Sequence, residues 1–175
     1  MLIFKTCHEY NLKYEKQIRK NSKETFKVLN NLNWKEIMKY TIVVPAYNEG
    51  TRIQKLLKNI VSEFERHEII VVDDGSQDKT AEIAKSYGVK VIKHKGNMGK
   101  GAAIKTGFLN SKGDITGFID ADESISPEDI ERVFCSAENK TLAIASRYHP
   151  NSNITIKQPL SRRIASRSFN SLVQL

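Results

Sequence analysis

The chain has 175 residues, a formal net charge of +8, 39% hydrophobic residues and 27% charged residues, which is a composition typical of one soluble domain. It has no run of about 18 apolar residues and no apolar leader at its start, so the sequence predicts neither a transmembrane helix nor a signal peptide. We therefore expect a protein that is cytoplasmic or peripheral on the cytoplasmic face of a membrane. The positive charge suits phosphorylated ligands or an anionic membrane surface, but lysine and arginine are spread along the chain, so we predict no nucleic-acid partner.

The first 39 residues carry scattered apolar positions and no recognisable site chemistry, and they are interpreted as a helical N-terminal extension. From residue 40 the character changes, because "YTIVVPAYNEG" is a β-branched run that predicts a buried strand stopped by Pro45. The apolar residues that follow recur at intervals of three and four, which predicts one face of a helix. They are Ile53, Leu56, Leu57, Ile60, Val61 and Phe64.

The rest of the chain alternates in the same way. "EIIVVDDGS" predicts a second strand, a helix follows at about 79–87, and "VKVIKH" predicts a third strand. The glycine-rich loop "GNMGKG" leads into a helix of small residues, "DITGFID" predicts a fourth strand, a helix begins at Pro127, and "LAIASRY" predicts a fifth strand. This alternation predicts an α/β fold with a mostly parallel sheet, helices on both faces, and a ligand crevice beyond the carboxyl ends of the strands.

Asp120 and Asp122 follow the fourth strand. In an extended stretch their side chains point to the same side, and two carboxylates so placed suit Mg2+ or Mn2+, which proteins hold with one or two carboxylates plus ligand phosphates. The alternative is an acidic, solvated loop that caps the helix starting at Pro127. Spacing alone does not decide between the two.

A second acidic pair, Asp73 and Asp74, ends the second strand. One of these acids is explained by a turn at Asp74-Gly75-Ser76, in which aspartate accepts backbone N–H groups. The other is placed to accept hydrogen bonds from a nucleobase or a ribose hydroxyl.

The segment "PAYNE" follows the first strand. Tyr47 is suited to pack on a flat base, and Glu49 is suited to hydrogen-bond it. The alternative is a strand-to-helix turn in which Asn48 or Glu49 caps the next helix.

The loop "GNMGKG" lacks the residue order of a Walker A phosphate loop. Gly99 and Gly101 permit a close approach of the backbone, and Lys100 is suited to neutralise a pyrophosphate. The alternative is that the glycines serve tight packing of a helix on the sheet.

Cations follow the fifth strand, first in Ser146-Arg147-Tyr148 and then in "LSRRIASRSFN". Arginine binds phosphate through a bidentate fork. Residues 159–173 predict a basic amphipathic helix, which is interpreted either as a peripheral membrane contact or as an ordinary exposed charged face.

In this order, the segments "VVPAYNE", "VVDDGSQDKT", "NMGKGAA", "IDADES" with "SPED", and "ASRY" resemble the family 2 glycosyltransferases with the GT-A fold. The closest resemblance is to polyprenyl-phosphate sugar synthases of the dolichyl-phosphate mannose or glucose synthase type, and it covers about residues 40–171. It implies a Rossmann-like GT-A domain over residues 40–175, a GDP- or UDP-sugar donor, Mg2+ or Mn2+, and an inverting transfer to a polyprenyl or dolichyl phosphate.

Carried over by position, the resemblance also implies roles for single residues. Asp120 and Asp122 would be the catalytic DxD pair, with Asp122 as a metal ligand and Asp120 near the ribose and the metal. Arg147, Arg162 and Ser166 would face the phosphates of the donor or the acceptor. The nucleotide-binding candidates are Pro45, Ala46, Tyr47, Asn48, Glu49, Asp73, Asp74, Lys100, Asp120, Ala121 and Asp122.

The sequence departs from the family pattern in two ways. Ser124 stands where mannose synthases often have glutamine, so the sugar is left open, and the family normally continues past the point that corresponds to Leu175, which favours a C-terminally truncated chain. Two alternatives therefore accompany the lipid phosphate acceptor: transfer to a glycan hydroxyl, and a non-catalytic nucleotide-binding remnant. A hydroxyl acceptor needs a general base, and "SISPED" offers none apart from Glu123 beside it, which favours the phosphate.

Overall fold

The computed structural model of the protein describes residues 2–5, 38–122, 124–137 and 143–145. All of them belong to one compact unit, Met1–Ala145. Most of the predicted N-terminal extension lies outside the described residues. So do Glu123, the basic segment 159–173 and the phosphate candidates Arg147, Arg162 and Ser166.

Strands and helices alternate along the described chain, after a first strand that the sequence does not predict. In chain order the elements are β1 (Leu2–Lys5), β2 (Tyr40–Ala46), α1 (Gly50–Glu63), β3 (Glu68–Asp73), α2 (Thr80–Ser86), β4 (Lys90–Lys93), α3 (Lys100–Leu109), β5 (Ile115–Phe118), α4 (Pro127–Ser136) and β6 (Ala143–Ile144).

The described strands form one sheet in the order β4-β3-β2-β5-β1-β6. The neighbours from β4 to β5 pair in parallel, which confirms the predicted mostly parallel sheet. β1 is a strand of this sheet that the sequence does not predict, because it lies in the segment interpreted as helical. It pairs antiparallel with both β5 and β6. Its short apolar sequence supplies ladder partners to an edge of β5 that would otherwise be unpaired.

Helices cover both faces of the sheet, as predicted. On one face, Ile42 and Val44 of β2 pack in a core that includes buried side chains of α1, α2 and α4. On the other face, Val43 packs with Ala103 of α3. The predicted apolar face of α1 is confirmed, because it buries Ile53, Leu56, Leu57 and Ile60. None of the helices in the described part of the chain is long and apolar enough to span a bilayer.

The prediction that Pro45 stops the first strand is wrong, because β2 continues to Ala46 and pairs with β3 from Thr41 to Ala46. The carbonyl of Val43 points to the β5 side, where it accepts the Ile119 N–H, and the carbonyl of Ala46 points to the β3 side, where it accepts the Asp74 N–H. Alternation along the strand therefore turns the nitrogen of Pro45 towards β5, which has already ended. A proline is tolerated there because no ladder donor is needed.

Close packing of α3 on the sheet depends on Gly107. A Cβ atom at this position would collide with the side chain of Val43, which is fully buried and β-branched. Gly101, on the same helix, is exposed, and a Cβ atom there would meet no atom within 4 Å.

We predict that Gly107→Ala lowers the free energy of unfolding by about 1–3 kcal/mol, because it overpacks the contact between α3 and β2. Gly101→Ala is the matched control and should raise stability by up to about 1 kcal/mol, since alanine favours the helix. Urea unfolding followed by circular dichroism measures both values. Equal effects of the two substitutions would contradict the packing account.

His67 lies at the opposite end of the sheet from the carboxyl ends of the parallel strands. Its Nδ1 accepts the N–H of Tyr40 at 3.1 Å, and the two rings stack with centroids 4.5 Å apart. Burial, followed by the charge of Arg66, lowers the pKa of His67 below its ordinary value of 6.5, although Glu131 opposes the shift. The folded protein therefore favours the neutral ring, which is the form able to accept this hydrogen bond.

We predict that stability falls as the pH is lowered through about 6.5, because the unfolded chain then binds a proton at His67 that the folded chain resists. The contribution is fully present above 6.5 and is lost as the pH falls through the lower folded-state pKa. Urea titrations between about pH 8 and pH 5 should show a shallower pH dependence in His67→Gln than in the wild type. An unchanged slope in the variant would rule out this role.

Candidate functional site

A cleft of about 400 Å³ lies beyond the carboxyl ends of β2, β3 and β5. It contains all the sequence-predicted nucleotide-binding residues except Asn48 and Asp73. Parallel strands that end at one edge of the sheet bring these separate segments together. The lining residues are Pro45, Ala46, Tyr47, Glu49, Arg52, Asp74, Asn97, Gly99, Lys100, Ala103, Asp120, Ala121 and Asp122.

Asp73 and Asn48 lie outside the lining and join the turns that shape it. Asp73 is fully buried; its Oδ1 accepts the N–H of Ser76 at 2.9 Å, and its Oδ2 lies 3.4 Å from Lys93 Nζ without hydrogen-bond geometry. Asn48 has a left-handed backbone with φ 53°. Its N–H donates to Ser76 Oγ, and its side-chain oxygen accepts the N–H of Gln77, both at 2.9 Å.

Asp74 is the acid of the pair that reaches the cleft. Its Oδ1 accepts hydrogen bonds from His94 Nδ1 at 2.7 Å and from the N–H of Met98 at 2.9 Å, and its Oδ2 accepts the N–H of Gly99 at 2.7 Å. Burial alone would raise the pKa of Asp74, but the hydrogen bonds from Met98, His94 and Gly99 outweigh it and hold the pKa below its ordinary value. The carboxylate is therefore ionised at neutral pH.

The turn after β3 also touches the glycine-rich loop through the backbone. Gly75 has φ 79°, and a Cβ atom there would lie 2.6 Å from the carbonyl carbon of Gly96. Gly99 has φ 90°, and Cβ atoms at Gly99 and Gly101 would meet nothing within 4 Å. The packing alternative for Gly99 and Gly101 is therefore wrong, and close contacts occur instead at Gly75 and, against the sheet, at Gly107. A close approach of a ligand to the backbone at Gly99 and Gly101 stays a prediction.

Lys100 opens α3 and pairs with Asp120 across the cleft. The Nζ of Lys100 lies 2.6 Å from Asp120 Oδ1, and both side chains are about half exposed. An ammonium group thus occupies one side of a carboxylate that the sequence assigns to a metal. Since this ion pair is exposed to solvent, it contributes little stability, and Lys100 and Asp120 can each take another partner.

Arg52 lines the cleft although the sequence reasoning did not select it. It lies in the first turn of α1, and its guanidinium contacts both carboxylate oxygens of Glu49 at 3.1 and 3.2 Å. The sequence could have indicated a place for Arg52 at the site, because residues three apart on a helix share a face. A helix that begins near Gly50 places Arg52 beside Glu49.

The chemistry of the cleft fits a divalent cation. Asp120 and Asp122 present carboxylate oxygens, the ligands that Mg2+ and Mn2+ prefer; Asp122 Oδ1 also accepts the N–H of Ser124 at 3.1 Å. Within the described ranges, no group of three or more His, Cys, Asp or Glu side chains is arranged to hold a metal. A cation here would therefore need ligands from a bound phosphate or water in addition to these two carboxylates.

Comparison with known proteins identifies the family. The model of glycosyl transferase family 2 matches residues 41–174. The chain belongs to this family.

Two similar proteins show how much of the chain the similarity covers. An uncharacterized protein of Methanocaldococcus jannaschii is 40% identical over 152 residues, covering 84% of this chain and 60% of that protein. A dolichyl-phosphate beta-glucosyltransferase of Trichomonas vaginalis is 32% identical over 155 residues, covering 77% of this chain and 46% of that protein. The chain thus spans about half the length of these relatives.

A solved structure is also similar. The glucosyl-3-phosphoglycerate synthase from Mycobacterium tuberculosis, in complex with Mn2+, uridine-diphosphate-glucose and phosphoglyceric acid, matches with a TM-score of 0.51 and 27% identity. The match covers 58% of this chain and 40% of that one. Together with the parallel sheet, it confirms the predicted GT-A fold.

We predict that Lys100→Met tightens the binding of Mn2+ alone by about 1.4- to fivefold, because the cation no longer competes with an exposed ion pair worth about 0.2–1 kcal/mol. Lys105→Met, on the same helix but outside the cleft lining, is the matched control and should leave the affinity unchanged. Electron paramagnetic resonance of free Mn2+ measures both. Weaker or unchanged Mn2+ binding by Lys100→Met would count against a metal beside Asp120.

Proposed function

We propose that the chain is the donor-binding part of a metal-dependent glycosyltransferase that uses a nucleoside-diphosphate sugar. The charge of the cleft supports this proposal most strongly. Its lining carries four carboxylates (Glu49, Asp74, Asp120 and Asp122) against two cations (Arg52 and Lys100), a formal charge of −2. A diphosphate is itself an anion, so it would bind such a cleft favourably only together with a divalent cation.

Each part of the donor has a suitable partner in the cleft. Tyr47 is 43% exposed on the cleft wall and offers an aromatic face to a nucleobase. Asp120 and Asp122 would hold the metal, and Lys100 would exchange Asp120 for a phosphate oxygen. A bound metal would supply positive charge to the diphosphate leaving group as the sugar bond breaks.

We further propose that the acceptor is a polyprenyl or dolichyl phosphate and that transfer inverts the anomeric centre. A phosphate oxygen of the acceptor would form the new bond to the anomeric carbon while the bond to the diphosphate breaks. Because that oxygen is already anionic, no general base is required. The similarity to a dolichyl-phosphate beta-glucosyltransferase supports this choice, and such an acceptor would place the enzyme at a membrane surface.

Calorimetric titration of UDP and GDP, with and without Mn2+, tests the donor site. We expect one nucleotide to bind only with Mn2+, and Asp122→Asn to weaken that binding by about 10- to 100-fold, which corresponds to about 1.4–2.8 kcal/mol. Asp129→Asn is the matched control, because this exposed acid of α4 pairs with Arg132 and lies outside the cleft lining. Equal binding with and without Mn2+ would contradict the proposal.

The acceptor is tested separately, by incubating the chain with the labelled nucleotide sugar whose base binds. Transfer to dolichyl phosphate in preference to a glycan hydroxyl supports the lipid acceptor. Transfer to the glycan alone would replace it with the hydroxyl alternative. Metal-dependent binding without transfer to either would leave the chain as a donor-binding portion only.

A further inference from the structure

We propose that His94, which does not line the cleft, is a positioning residue for the donor site. Its imidazole fixes the carboxylate of Asp74, and through that carboxylate it fixes the loop of residues 96–99 at the cleft wall. This inference rests on the proposed function, because it assigns a purpose to the loop in binding the donor.

The ring of His94 is held on both sides. His94 directly follows β4, and its side chain is only 9% exposed. Nδ1 lies 2.7 Å from Asp74 Oδ1, and Nε2 lies 2.9 Å from Thr106 Oγ1 on α3. The backbone N–H of His94 also donates to the carbonyl of Asp73 at 2.9 Å. The ring therefore has little freedom to rotate.

The hydrogen-bond donors can be assigned from chemistry. Asp74 is ionised and offers only acceptors, so Nδ1 of His94 carries the proton of this contact. In the neutral ring, Nε2 then accepts a hydrogen bond from the hydroxyl of Thr106. Thr106 thus fixes the ring orientation in which Nδ1–H points at Asp74.

Asp74 passes this constraint to the loop. Its two oxygens accept consecutive backbone N–H groups, those of Met98 and Gly99, immediately before the first residue of α3. The residues on either side of these two amides, Asn97 and Lys100, line the cleft together with Gly99. If the carboxylate turned, the Met98 N–H would lose its acceptor, the Gly99 N–H would keep only Asn97 Oδ1 at 3.1 Å, and the cleft wall would shift.

The ordinary alternative is that His94 only stabilises the fold. In that case its loss would lower stability, yet the remaining folded protein would bind nucleotide normally. A positioning role predicts instead that affinity depends on the Nδ1–H group itself. Asparagine places a side-chain N–H close to the position of Nδ1, whereas glutamine extends to that of Nε2, so the two substitutions separate the roles of the two nitrogens.

The test measures Mn2+-dependent binding of UDP and GDP to His94→Ala, His94→Gln and His94→Asn at a temperature where each is folded. We expect about tenfold weaker binding for alanine and glutamine, and affinity within about threefold of wild type for asparagine. Thr106→Val, which removes only the hydroxyl, should give an intermediate loss and serves if the His94 variants do not fold. His67→Ala, at the far end of the sheet, should lower the melting temperature without changing affinity.

Amide hydrogen exchange at Met98 and Gly99, followed by NMR without nucleotide, gives an independent reading. We expect faster exchange in His94→Ala and His94→Gln and near-normal exchange in His94→Asn. Unchanged exchange and affinity in the alanine variant, or an asparagine variant as impaired as alanine, would overturn the inference. If the wild type binds neither nucleotide, the proposed function fails and the donor-site role fails with it, while the exchange rates still decide whether His94 holds the loop.

Discussion

The carboxylate of Asp74 joins the end of β3 to the loop that opens α3, and the shape of the cleft depends on this junction. A nearly buried charge is costly unless hydrogen bonds replace the water it has lost. Here, His94 and two backbone N–H groups provide those bonds. The contact between Gly75 and Gly96 leaves no room for a side chain at the same point. Strand, loop and helix are thereby placed where Asn97, Gly99 and Lys100 face Asp120 and Asp122.

The charges of the cleft connect this geometry to function. Four carboxylates gathered at one edge of the sheet would repel one another in an isolated cleft. Lys100 and Arg52 relieve part of that repulsion through their contacts with Asp120 and Glu49. Both cations are largely exposed and can exchange partners when an anion arrives with its cation. In the proposed function, a divalent cation would balance the net negative charge of the lining, and a diphosphate would then bind on that cation.

Much of the fold follows from local patterns, because burial imposes them along the chain. The spacing from Ile53 to Ile60 predicts the buried face of α1, and the runs before Asp73 and Asp120 predict parallel strands. Long-range context decides what the patterns missed. Pro45 continues β2 only because β5 ends beside it, and Leu2–Lys5 forms a strand only because β5 and β6 offer it edges. Neither fact is visible in the neighbouring residues.

Part of the candidate site also follows from local sequence patterns, and part depends on long-range contacts. The sequence places Tyr47, Lys100, Asp120 and Asp122 together, because all follow or open elements at one edge of a parallel sheet. The sequence does not distinguish the roles of Asp73 and Asp74. Only the packing of the glycine-rich loop shows that Asp73 is buried outside the cleft lining and that Asp74 reaches the cleft. His94 and Thr106 carry no motif, so their contact with Asp74 emerges only in three dimensions.

The most direct test is a crystal structure of the chain with Mn2+ and the nucleotide that it binds, with anomalous data that locate manganese. We expect one manganese peak at the carboxylates of Asp120 and Asp122, with the diphosphate on the metal and the base against Tyr47. A nucleotide bound elsewhere, or a diphosphate held in the cleft with manganese away from both aspartates, would contradict this expectation.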